Sequence, residues 1–89
     1  MSSLARKIRG EESFWVDQLL QQTRLLSKGT SACPGALAQT ILPKHAQPLN
    51  VLRPLLFMLA EHGKIRLTQK GQVLGWRHIR GPFRVSQRG

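Results

Sequence analysis

From residue 11 to residue 28 the apolar positions recur at helical spacing. Val16, Leu19, Leu20, Thr23 and Leu26 share one face, which predicts an amphipathic helix. Glu11 and Glu12 stand in its first turn, where the helix dipole favours anions, and Lys28-Gly29 supplies a stop. Thr30-Ser31-Ala32 is short and suits an extended conformation. Pro34 fits the first position of a second helix, buried through Leu37, Ala38 and Ile41 and stopped by Pro43. After a polar connector, residues 49–62 form a third helix with Leu52, Leu55, Leu56 and Leu59 as its stripe. Asn50, Arg53, Phe57 and Glu61 fall nearer its other side. Pro54 conflicts with this helix, because an interior proline deletes a hydrogen bond at a cost of about 3 kcal/mol. The regular helix then begins close to Pro54, or its first turn is irregular or kinked.

After Gly63 the period changes from helical to alternating. Ile65 and Leu67 alternate with Lys64, Arg66 and Thr68, and Phe83 and Val85 flank Arg84. Both patterns predict half-buried strands, over 64–69 and 82–86, with Arg66 and Arg84 on one solvent face. Residues 70–81 read as a long loop, although Gln72-Val73-Leu74 could extend the ribbon. The expected fold is α+β, mainly α. It is a winged helix-turn-helix, with three helices followed by a two-stranded β-hairpin and a long wing loop. Residues 1–10, with Arg6, Lys7 and Arg9, read as a flexible basic arm, 11–86 as the domain and 87–89 as a tail.

Charge sharpens this picture. Eighty-nine residues suit one domain, and they carry a net charge of +10. Residues 1–46 contribute +3 and residues 47–89 contribute +7, and nothing after Glu61 is acidic. Concentrated positive charge points to nucleic acid, an anionic membrane surface or an acidic protein. No apolar run approaches the ~20 residues of a spanning helix, so a membrane is not expected. Cys33 is the only cysteine, which excludes an internal disulfide and a cysteine-based metal site and suits a reducing, cytoplasmic setting.

Gly63-Lys64-Ile65, Thr68-Gln69-Lys70-Gly71 and Arg80-Gly81-Pro82-Phe83-Arg84-Val85 form a spaced set of motifs. With Cys33-Pro34 opening the second helix and Arg53 and Leu59 in the third, they resemble a small bacterial winged-helix family known only as a domain of unknown function. The resemblance spans about residues 14–86. It implies a fold and no activity, so no functional residue is carried over from it. Two departures stand out: Pro54 interrupts the third helix, and Leu74-Gly75-Trp76 fills a loop that is usually more polar.

The expected function is nucleic-acid binding through phosphate contacts by Lys64, Arg66, Lys70, Arg77, Arg80 and Arg84. Arginine presents a planar fork that matches phosphate oxygens two at a time. The third helix adds Asn50 and Arg53, with Gln47 just before them, a thin set for reading bases in DNA or RNA. The alternative is a protein-interaction module that docks an acidic or other partner through Val73, Leu74 and Trp76. Against that alternative, the loop is expected to fold back and pack its apolar groups on the domain.

Other chemistry finds no foothold. His45, His62 and His78 stand 16 or more residues apart, without metal-ligand spacing. Cys33 reads as a small buried residue at a helix start. Three of the four carboxylates lie in the first helix and do not converge as an acid–base pair, and no catalytic motif occurs. No catalytic residue, metal or cofactor is expected, and the chain does not read as an enzyme.

Overall fold

The apolar stripes of the three helices and the alternation after Gly63 converge on one core in the computed structural model, which describes residues 10–27 and 29–88. Helices α1 (Gly10–Arg24), α2 (Pro34–Ile41) and α3 (Pro48–Glu61) precede strands β1 (Ile65–Gln69), β2 (Gln72–Leu74) and β3 (Arg84–Gln87). The architecture is α+β, as the pattern predicts. The sheet has three antiparallel strands in the order β2-β1-β3, not the expected two.

Val16, Leu19 and Thr23 of α1 are buried. The Thr23 hydroxyl is satisfied by donating to the Leu20 carbonyl at 3.0 Å. The helix ends at Arg24, short of the predicted residue 28, and Leu26 is half-buried beyond it. Past the helix end, the Leu26 carbonyl accepts a hydrogen bond from the Gln87 side chain across the fold. Gln87 is the last residue of β3, paired with Ile65, so the strand runs one residue into the expected tail. At the other end Gly10 opens α1, while the remainder of the proposed arm and Lys28 lie outside the described residues.

In α2, Pro34 occupies the first turn and Leu37 and Ala38 are buried. Cys33 takes the N-cap position in extended geometry and is exposed, which corrects its reading as a buried residue. Helix α3 runs through Pro54, which is exposed. The missing proline N–H leaves the Asn50 carbonyl without its partner four residues on. Asn50 is exposed as well, so this turn of the helix faces solvent. Gly63, at φ 72°, turns the chain out of α3, and the Lys64 N–H donates to the Leu59 carbonyl at 2.8 Å.

Strands β1 and β2 form a hairpin in which Gln69 faces Gln72 across a two-residue turn. Lys70 (φ 52°) and Gly71 (φ 81°) are both left-handed there, the geometry whose twist matches the flanking strands. Ala32 adds a single bridge to the sheet, exchanging backbone hydrogen bonds with Val85 at 2.7 and 2.9 Å. That bridge is the extended piece expected at residues 30–32.

Because β1 lies between β2 and β3, the connection over residues 75–83 must cross it. It crosses on the helix side. Trp76–His78 forms a 3-10 turn. Trp76 stacks on Phe57 of α3 with ring centroids 6.1 Å apart, and Phe57 meets Phe83 at 5.6 Å. Ile79 and Phe83 enter the core with Ile65, Leu67 and Val85. The segment expected as one long loop is therefore a short strand followed by a packed crossover.

Candidate nucleic-acid interface

The sheet divides the predicted cations between two sides. Ile65, Leu67 and Val85 face the helices in the core, so the alternate positions emerge on the other face. Arg66 pairs with Ser86 and Thr68 with Arg84. Cross-strand partners share a face, so Arg66 and Arg84 stand together on the outer side, both exposed. Val73, opposite Thr68, lies on that face too and is 60 % exposed. Lys64 is exposed just before β1, and Lys70 is exposed at the hairpin tip.

On the helix side, Asn50 and Arg53 are exposed on the N-terminal half of α3. Arg53 borders a shallow groove with Pro54, Phe57, Met58, Glu61 and Trp76. It also borders a cleft of about 540 Å³ that reaches Gly81, Pro82 and Phe83 of the crossover. Arg77 lies over the Trp76 ring, its guanidinium carbon 5.1 Å from the centroid. Phe83, Phe57, Trp76 and Arg77 thus form a chain of contacts from core to surface. In the C-terminal half of α3, Trp76 packs on Phe57, Phe57 and Met58 are half-buried, and Glu61 stays exposed.

Some of the predicted contacts already have partners within the fold. Arg84 Nε donates to the Ser31 hydroxyl at 2.6 Å and its Nη2 to the Ser31 carbonyl at 3.0 Å. Arg80 Nη1 donates to the carbonyls of Arg77 and Ile79, each at 3.0 Å. Asn50 donates its side-chain amide to Gln47. The structure therefore sets Asn50 and Arg53 on α3, Arg77 and Arg80 on the crossover that packs at the helix side, and Arg66 and Arg84 on the opposite face of the sheet. It does not assemble the predicted residues into a single surface.

Gln69 ties the crossover to the hairpin. Its side-chain nitrogen donates to the carbonyls of Arg80 and Pro82, the latter at 2.7 Å, and its oxygen accepts from the Arg80 N–H at 3.1 Å. The Gln69-Lys70-Gly71 and Arg80-Gly81-Pro82 motifs are thus two halves of one clasp. They lie inside a region, residues 13–88, that matches a family described as "protein of unknown function (DUF3253)". The chain belongs to that family. No curated protein matches it.

In this DUF3253 member the departures noted in the sequence have a structural place. Pro54 lies exposed at the groove beside Trp76, and Leu74 and Trp76 are half-buried. Of the apolar residues at 73–79, Ile79 packs fully, Leu74 and Trp76 partly, and Val73 stays out. Sequence reasoning missed Gln69 and Ser31, the polar partners that organise the basic residues. The only signal for Gln69 was its place in a motif spaced with Arg80-Gly81-Pro82, and Ser31 had no such signal. Among the described residues no three His, Cys, Asp or Glu side chains converge, and no helix is long and apolar enough to cross a membrane.

Proposed function

We infer that this protein is a winged-helix nucleic-acid-binding protein that grips backbone phosphates on the helix side of its sheet and reads few bases. The element order supports the fold reading: α1, the extended Ala32, α2, α3, β1, the hairpin and β3 follow the order of a winged helix-turn-helix. The observation that carries the functional reading is the edge where Arg53 of α3 shares clefts with Trp76, Gly81 and Pro82 of the crossover, the segment that also carries the exposed Arg77 and Arg80. Lys70 extends the positive charge to the hairpin tip. Phosphate contacts of this kind supply affinity and orientation without sequence information.

Base reading is limited by two features. Gln47 and Asn50 bond each other, and beyond Arg53 the side chains nearest the crossover are Phe57, stacked under Trp76, and the acidic Glu61. Arg53 is then the main candidate for a base edge. With about four phosphates neutralised, log K against log salt has a slope of about −3 to −4. Fluorescence anisotropy with a generic duplex between 50 and 200 mM salt checks it. Absence of binding at the lower salt, or binding indifferent to salt, overturns the reading.

The alternative, docking of a protein through Val73, Leu74 and Trp76, has narrower support. Trp76 is engaged with Phe57 and Arg77, and Val73 alone of the three is largely exposed. The edge strand that carries Val73 is only three residues long, a length that resists pairing with another chain.

A further inference from the structure

We propose that the outer face of the sheet binds a phosphoryl group carried by a small molecule. This goes beyond the nucleic-acid reading and uses the opposite side of the sheet. A concavity of about 470 Å³ opens there, lined by Thr30, Ser31, Arg66, Thr68 and Ser86 among others. That size lies within the range of about 300–1,000 Å³ common for small-ligand sites. Gly29 and the hairpin residue Gly71 also border it. A hollow framed by the 29–31 segment and the hairpin turn suits the end of a small ligand better than the broad side of a duplex.

The lining suits a tetrahedral oxyanion. Arg66 is exposed and offers the planar fork of N–H donors that phosphate oxygens match. Strand register places the Ser86 hydroxyl directly across from Arg66, and Thr68 across from Arg84. Arg84 is not among the lining residues, but it anchors the Ser31 wall. Its Nε donates to Ser31 Oγ at 2.6 Å, so that oxygen acts as acceptor and its own proton is left to donate to a ligand. The Arg84 bond to the Ser31 carbonyl, at 3.0 Å, holds the wall in place. No carboxylate is among the described residues lining the hollow, so none there competes with an anion for Arg66. Arg66, Thr68 and Ser86 stand on paired strands, which hold the donors in position before a ligand arrives.

The test is an NMR titration of the full chain, in chloride buffer, with inorganic phosphate, adenosine 5′-monophosphate, adenosine and a generic duplex. Phosphate and the monophosphate are expected to shift the amides of Ser31, Arg66, Thr68 and Ser86, and adenosine is not. Arg66→Gln should weaken the monophosphate at least about tenfold, as loss of a charged hydrogen-bonding group implies. Lys44→Gln, an exposed cation away from both faces' proposed contacts, should leave it unchanged. Resonances away from the face report whether each variant keeps its fold. Absence of outer-face shifts with both phosphoryl ligands, unchanged affinity in Arg66→Gln, or shifts there from the duplex alone would each overturn the site. Failure of the duplex to bind anywhere overturns the helix-side reading instead, and leaves the phosphoryl result standing.

Discussion

Among individual residues, Gln69 makes three side-chain hydrogen bonds to a segment more than ten positions away. Its amide uses both donor and acceptor to hold the backbone of Arg80 and Pro82. Without it, those backbone groups lose their partner where the crossover turns toward β3. Gln69→Ala is expected to lower the unfolding free energy by about 1–3 kcal/mol, measured by urea denaturation. A midpoint unchanged from wild type would show that water replaces the clasp at no cost. The motifs containing Gln69 and Arg80 were legible in the sequence as a pair. Their connection was not, because a hydrogen bond spanning 11 residues leaves no periodicity. Arg84 and Arg80 teach the same lesson. Each reads as a free cation from its neighbours in the chain, and each is bonded to oxygens within the fold.

Among the elements, α3 and the segment after β1 behave differently from their local pattern. The stripe Leu52, Leu55, Leu56 and Leu59 holds α3 against α2 and the sheet strongly enough to carry a proline inside it. Pro54 therefore costs stability without breaking the helix. Pro54→Ala restores an N–H for the Asn50 carbonyl and removes the ring clash. It should raise stability by about 1–3 kcal/mol, seen as a higher thermal or denaturant midpoint. A fall in stability would mean that Pro54 packing against the groove outweighs the lost bond. Strand β2 escaped definition as a strand because three residues carry almost no alternation, and only pairing with β1 makes them extended. The crossover followed from that pairing: a hairpin on one edge of β1 obliges the chain to traverse the sheet before β3.

For the whole molecule, the sheet is a partition. Arg53 and Arg77 lie on its helix side, and Arg66 lies on its outer side. At 0.15 M salt the Debye length is about 8 Å, so exposed charges beyond it act nearly independently. Arg53→Glu and Arg77→Glu are each expected to weaken duplex binding by about tenfold or more at that salt, while Arg66→Glu changes it less than about threefold. Anisotropy titrations of the three variants check this. A loss as large for Arg66→Glu as for Arg53→Glu would place the nucleic acid across both sides.

The sequence alone determined the three helices, the alternation of β1 and β3, the inward set Ile65, Leu67, Phe83 and Val85, and the shared face of Arg66 and Arg84. These rest on local period, which covalent geometry imposes on neighbouring residues. It also determined the concentration of charge, which is a matter of composition. Only the tertiary structure decided that β2 joins the sheet, that residues 75–83 cross on the helix side, and that the basic residues part into two groups. Those outcomes depend on which strand edges pair and which carbonyls remain for distant side chains such as Gln69, Arg84 and Gln87. Such long-range choices are made by the folded chain as a whole, and no window of neighbouring residues contains them.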